Sequence, residues 1–235
     1  MQTDFSLGRK YIEPGHAACG ISARFRAGDL AGAGSFGVLR RVLQDLTNLQ
    51  DRGGMIQSDA GIDGDGAGVM TTIPHALVEE DLVNEGLNTS LASSIGWGVA
   101  FLPKSQIIQN LFLRRLKAVL AHEGLAYLYH RPVPTNPAAL GPSAARAEPD
   151  IIRVGVIVRS ATEGDRKMYR VKVRLEEEFP DVHIPSFSSH TVVYKVMGIA
   201  ETLPRYYPEL RNSRFKTRFA IGHVRMSTNT RPLHK

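Results

Sequence analysis

Apolar positions recur along this chain with two periods. Val38, Leu39, Val42, Leu43, Leu46 and Leu49 fall at helical spacing and predict one amphipathic helix from residue 36 to about 50. Ser35 stands where an N-cap belongs, and Arg52-Gly53-Gly54 stops the pattern. Ile107, Ile108, Leu111, Phe112, Leu116, Val119 and Leu120 form a second stripe and predict a longer helix over 105–123. A short acidic helix is expected over 75–85. Another is expected over 163–179, capped by Thr162, with Asp165 in its first turn. The other period is two. It predicts strands over 19–25, 67–73, 97–102, 125–130, 151–158, 191–196 and 219–226. Many strands with helices at intervals favour an α/β or α+β domain with substantial sheet. The proline- and alanine-rich stretch 132–149 reads as a loop, and no domain cut is made there.

Composition narrows the picture. A chain of 235 residues buries one full core, so a single domain is the default. No apolar run approaches membrane-spanning length. One cysteine excludes internal disulfides, a cysteine-based zinc site and an iron–sulfur cluster within the chain, and cytoplasm is the simplest location. The eight histidines are dispersed without metal spacing. The net charge of +6 raises the question of an acidic partner, and residues 205–218 mix Arg211, Arg214 and Lys216 with Tyr206, Tyr207 and Phe215. Solvated surface arginine is the preferred account, and neither nucleic acid nor membrane is expected as a partner.

Two glycine-rich stretches invite ligand readings. Gly32-Ala33-Gly34-Ser35-Phe36-Gly37 is a literal G-x-G-x-x-G. The preceding strand alternates with Ser22 and Arg24, unlike a buried parallel strand, so loop and helix entry is preferred over a dinucleotide site. Asp59, Asp63 and Asp65 lack the spacing of a calcium loop, and turn glycines leading into a strand are preferred.

The lone cysteine, Cys19, changes the picture most. By default such a residue is a buried small hydrophobe. Here it follows a short polar leader, residues 1–18, that lacks the apolar segment of a secretory or lipoprotein signal. Ala17 and Ala18 before it are small, and no histidine nearby in sequence offers itself as a base. A free α-amine has a reference pKa of about 7.7–8.0 against about 8.5 for a thiol. If Cys19 were residue one after cleavage behind Ala18, its own amine would take the thiol proton, directly or through one water.

At this point the residues meet a family. Cys19-Gly20-Ile21, Arg52-Gly53-Gly54, Gly64-Asp65-Gly66-Ala67-Gly68 and Gly98-Val99-Ala100-Phe101-Leu102-Pro103 resemble, in order, the glutaminase domain of the glutamate synthase large subunit. Arg166-Lys167-Met168-Tyr169, Ser188-Ser189-His190-Thr191-Val192-Val193-Tyr194-Lys195 and His223-Val224-Arg225-Met226-Ser227-Thr228-Asn229-Thr230 continue the likeness. The resemblance implies a class II glutamine amidotransferase of the N-terminal-nucleophile type, 19–235, behind a propeptide, 1–18. It implies an α+β fold, a four-layer αββα sandwich, here incomplete. Cys19 would attack the side-chain amide of glutamine, giving ammonia and a thioester that hydrolyses to glutamate. Arg225 would hold the substrate α-carboxylate, a task suited to a guanidinium, and Thr228 and Asn229 would line the pocket. The partner implied is a synthase domain or subunit carrying FMN and an iron–sulfur cluster, which adds the ammonia to 2-oxoglutarate. No cofactor is implied in this chain.

The sequence departs from the family pattern in places. Met226 replaces an aromatic residue, and Val196 stands where glycine follows Tyr-Lys. An Asn-Gly pair for the oxyanion and an aspartate for the substrate amine belong to the pattern beyond these residues. The expectation is a truncated or split piece, poorly active alone; the alternatives are a non-catalytic subunit kept for assembly and a related hydrolase acting on another amide.

Overall fold

The computed structural model describes residues 19–26, 34–58 and 61–227. In chain order these form β1 (Gly20–Phe25), α1 (Phe36–Asn48), β2 (Met55–Ser58), β3 (Gly61–Gly64), β4 (Ala67–Thr72), α2 (His75–Asn84), β5 (Ile95–Leu102) and α3 (Gln106–His122). They continue as β6 (Ala126–Pro132), α4 (Pro142–Arg146), β7 (Asp150–Ile157), α5 (Ala161–Glu178), β8 (His183–Ser188), β9 (Thr191–Val196), α6 (Thr202–Tyr206) and β10 (Phe219–Val224). One four-stranded sheet has the order β1-β10-β4-β9, a second has β6-β7-β5-β8, and β2 pairs with β3 alone. The described pairings are antiparallel, so the class is α+β.

The first sheet packs on α1. Ser35 caps that helix, its Oγ accepting from Gly37 N at 3.0 Å. Leu39, Val42 and Leu46 are fully buried on its inner face. At Gly222 of β10 a Cβ would press on Val42 and Leu46, so its absence lets helix and strand close. Ser22 and Arg24 of β1 turn toward the same helix, donating to Asp45 at 2.6 and 2.9 Å. Hence β1 is inverted relative to a simple core strand: Ile21 and Phe25, on its other face, are 68% and 77% exposed.

The second sheet packs one face, with Ala100, Leu102, Ile152, Val154 and Val156, against Phe112, Leu116 and Leu120 of α3 and Met168, Val171 and Leu175 of α5. Its other face, with Trp97, Val99, Phe101 and Tyr129, joins Val192, Tyr194 and Val196 of β9 and the apolar side of α2 in one core. Each such aliphatic burial stabilises by roughly 1.5–3 kcal/mol before the entropy cost. A charged cluster sits inside this core. Arg153 of β7, 1% exposed, donates through Nη1 to Asp81 Oδ2 at 3.0 Å and through Nη2 to Tyr194 Oη at 3.1 Å and to Glu209.

Several expectations change. The β2–β3 pair and β8 stand where no strand was expected. α5 begins at Ala161, so Thr162 lies inside the helix rather than capping it. Asp165 serves the tertiary structure instead of the helix end: its Oδ1 accepts from Ser188 Oγ at 2.7 Å and Ser189 N at 2.8 Å. The carboxylate of Asp63 accepts from Ser143 N at 3.1 Å, capping α4, while Asp59 lies outside the described residues. β1 is the edge of an antiparallel sheet, which removes the central parallel strand that a dinucleotide site needs; Gly32 and Ala33 lie outside the described residues. Tyr206, Tyr207 and Phe215 are buried in the core, so they offer no stacking platform to a nucleic acid. Among the described residues no helix is long and apolar enough to cross a membrane.

Candidate functional site

Cys19 sits at the entry to β1 with φ of 83°, a conformation that non-glycine residues adopt at some cost. Two backbone contacts hold it there. Its nitrogen donates to the carbonyl of Arg52 at 3.0 Å. Its sulfur receives the amide of Met226, N to Sγ 3.5 Å. The contact comes from backbone.

The segments around Cys19 are tied to one another. Gly54 N donates to Arg225 O at 2.9 Å, Arg225 N to Gly66 O at 2.9 Å, and Asp65 N to Gly54 O at 3.0 Å. Ser227 N reaches Asp65 Oδ2 at 2.5 Å. The carboxylate occupies the space above Gly54, where any Cβ would overlap it. Thus three stretches far apart in sequence, 52–54, 65–66 and 225–227, form one seat for the cysteine.

Beside that seat the strand registers cut a cavity of about 390 Å³ into the open face of the first sheet, a size that suits a small ligand. His223 pairs with Gly68, and Gly68 with Lys195. One step along, Ile221 pairs with Met70, and Met70 with Val193. On the other side Arg225 bonds to Gly66, which has φ of 136° and carries no side chain. The floor is therefore low at Gly66 and at Gly68 of β4 and walled by Arg225 and His223 on one side and by Lys195 on the other, all of them lining residues. Cys19 is not a lining residue. Gly20 pairs with Val224, so the cysteine stands at the end of the neighbouring strand, with its sulfur on the residue after Arg225.

The electrostatics of the cavity are basic. Burial and then the Arg225 charge hold His223 below the usual imidazole range. Burial first, then Lys172 and Arg225, lower Lys195 to about 8. Behind Lys195 stand His183 of β8, Nζ to Nε2 2.6 Å, and Glu176 of α5, Oε1 to Nδ1 3.2 Å. Burial and the Lys195 charge bring His183 down to about 4. Asp65 is the acidic lining residue, and one of its oxygens is taken by Ser227 N.

Of the residues expected at the site, the structure brings Cys19 and the Arg225–Met226 segment together. Thr228 and Asn229 lie outside the described residues, as does the leader 1–18. Arg52, Asp65, Lys195 and the His183–Glu176 pair were not singled out as site residues. Lys195 had a visible signal, a lysine alternating with the buried Val192, Tyr194 and Val196. Arg52 contributes a carbonyl, which no side-chain pattern records.

Comparison with known proteins bears on this arrangement. A family model described as class-II glutamine amidotransferases matches residues 19–235. The chain is 32% identical over 224 residues to the chloroplastic ferredoxin-dependent glutamate synthase of Spinacia oleracea, covering 92% of this chain and 14% of that protein. It is 31% identical over 230 residues to ferredoxin-dependent glutamate synthase 2 of a Synechocystis strain, covering 96% and 14%. It is 29% identical over 225 residues to the NADPH glutamate synthase large chain of Bacillus subtilis, covering 92% and 14%. The chain thus spans about 14% of the length of these curated relatives.

Proposed function

The chain belongs to the class-II glutamine amidotransferase family, and from that premise we propose that it is the glutaminase part of a glutamate synthase. The observation that carries the reading is the double hold on Cys19: nitrogen on the Arg52 carbonyl, sulfur on the Met226 amide, one residue from Arg225. The match beginning at residue 19 supports cleavage behind Ala18, which makes that nitrogen an α-amine. The four-layer αββα arrangement belongs to the same reading; α3 with α5 on one face of the second sheet, whose other face meets the first sheet, supports it.

The steps follow from the groups present. The amine, oriented by Arg52, takes the thiol proton directly or through one water. Sγ bonds to the amide carbon of glutamine while Arg225 grips the α-carboxylate. The C–N bond breaks as the amine returns the proton to the leaving nitrogen, releasing ammonia. Water then splits the thioester, giving glutamate and the free thiol. The oxyanion donors of the family pattern, an Asn-Gly pair, lie beyond these residues; a single such donor is worth about 10²–10³ in rate. The ammonia passes to a synthase domain or subunit that uses FMN and an iron–sulfur cluster to make glutamate from 2-oxoglutarate. The cluster is assigned to the partner, since it needs several thiolates and this chain has one cysteine. The cytoplasm is the location proposed.

A second reading, a non-catalytic piece kept for assembly, is favoured by the exposed apolar residues Ile21 and Phe25 on β1. Mass spectrometry of the N-terminus and a glutamine hydrolysis assay, on the chain alone and with its synthase partner, separate the two. The catalytic reading expects a Cys19 start and hydrolysis lost in Cys19→Ala. A Met1 start without hydrolysis in either setting refutes it.

A further inference from the structure

The wall of the cavity away from Cys19 carries a relay that glutamine hydrolysis leaves unused. The acceptor rules fix its direction. The Glu176 carboxylate accepts, so the proton of His183 is on Nδ1, 3.2 Å from Oε1. His183 Nε2 then accepts, and Lys195 Nζ at 2.6 Å is the donor. Glu176 is itself fixed by Ile184 N, 2.7 Å from Oε1. The ammonium therefore spends one N–H on the histidine, and the Lys195 side chain lines the cavity. The glycine floor at Gly68 separates it from His223 by two strand spacings, about 9.6 Å between backbones.

Basic groups thus stand on both sides of a floor that has no side chain at Gly68, and after burial the Arg225 charge lowers both Lys195 and His223. A carboxylate on Arg225 answers one side alone. We propose that the cavity is a slot for a small dicarboxylate of the glutarate type, with one carboxylate on Arg225 and the other on Lys195, the latter held out by His183 and Glu176. The slot deepens the glutamine reading, on which it rests through Arg225: a dicarboxylate there competes with glutamine for the same guanidinium.

The test is calorimetric titration of the full chain with glutarate and with butyrate, which has one carboxylate. A charge-assisted hydrogen bond is worth about a tenfold gain or more, so glutarate is expected to bind at least about tenfold tighter. Lys195→Met removes that advantage and leaves butyrate unchanged; Lys195→Arg retains most of it. Lys195→Gln is measured alongside, so that a folding failure of one variant leaves the other. Equal binding of the two acids, no binding of either, or an advantage that survives both Lys195→Met and Lys195→Gln overturns the proposal. Glutamine hydrolysis intact with no glutarate advantage strikes the slot alone. A glutarate advantage that depends on Lys195, without glutamine binding or hydrolysis, strikes the glutamine reading and leaves the slot standing.

Discussion

Replacing Arg153 by methionine tests how the core positions the cavity. Arg153 belongs to β7 in the second sheet, yet its guanidinium meets Tyr194 of β9 in the first. Tyr194 is the neighbour of Lys195 and points to the other face of the same strand. The guanidinium carbon lies 4.1 Å from the Trp97 ring centroid. Tyr129 Oη donates to Asp81 Oδ2 at 3.1 Å and accepts from Trp97 Nε1 at 2.9 Å. Methionine fills most of the volume and removes the charge, leaving Asp81 and Glu209 without their buried cation. Breaking a buried pair from one side costs about 3–5 kcal/mol. Asp81 keeps Arg131, 2.9 Å away, so the lower end applies, about 3 kcal/mol. For a chain of this size that corresponds to a fall in Tm of roughly 6–12 °C. Urea unfolding followed by circular dichroism reads it. Adding Asp81→Leu to Arg153→Met relieves one stranded carboxylate and recovers part of the loss. A loss under about 1 kcal/mol in the single variant, or no recovery in the double, refutes the view that these charges depend on one another.

Other expected outcomes concern the site. Gly54→Ala drives a Cβ into the Asp65 carboxylate and breaks its bond to Ser227 N, costing about 1.5–3 kcal/mol by chemical denaturation and lowering glutamine hydrolysis. Gly68→Val raises the cavity floor, where even a Cβ would lie 3.1 Å from Tyr194 O and 3.3 Å from Lys195 Cβ; glutamine binding by calorimetry weakens at least tenfold while the far-UV spectrum is kept. His183, held at about 4 by burial and Lys195, makes the fold acid-sensitive. The unfolded chain takes up this proton below about pH 6.5 and the folded chain only near 4, so stability falls as pH drops through that window and levels off below it. The loss reaches about 3 kcal/mol, and His183→Gln flattens that part of the urea-stability profile.

How far the sequence speaks for the fold depends on the kind of signal. The α1 stripe and its Ser35 cap were legible because both are local, a period and an oxygen two residues from its donor. β2, β3 and β8 were not. Gly61–Gly64 is short and glycine-bounded, and Pro185 interrupts β8, so local propensity argues against both while pairing overrides it. Thr162 was chosen as a cap by residue type, but Asp165, drawn away by Ser188 and Ser189, gave no local sign of its tertiary partners. Arg153 illustrates the limit from the other side. In a strand that after Asp150 is otherwise made of Ile, Val and Gly it breaks the apolar run, and only the fold brings Asp81 and Glu209 to it.

The site divides along the same line, and the division has a physical reason. Cys19 and Arg225 declare themselves by chemical type, because a nucleophile and a carboxylate clamp need particular side chains. What gives them a place is backbone: the Arg52 carbonyl, the Met226 amide, the hydrogen bonds through Gly54 and Gly66. Any residue supplies a carbonyl or an amide, so these positions leave a trace in sequence only where a side chain must be absent. Gly54 is such a trace, since Asp65 fills the space of its side chain, and so is Gly66, with its positive φ. The cavity follows the same logic. It arises from what the chain lacks at Gly66 and, within β4, at Gly68, set by register between walls that β9, β10 and the following Arg225 supply. A glycine-spaced strand flanked in register by basic strands is therefore the pattern to seek when no motif is recognised. It predicts a hollow and its charge before it predicts an occupant.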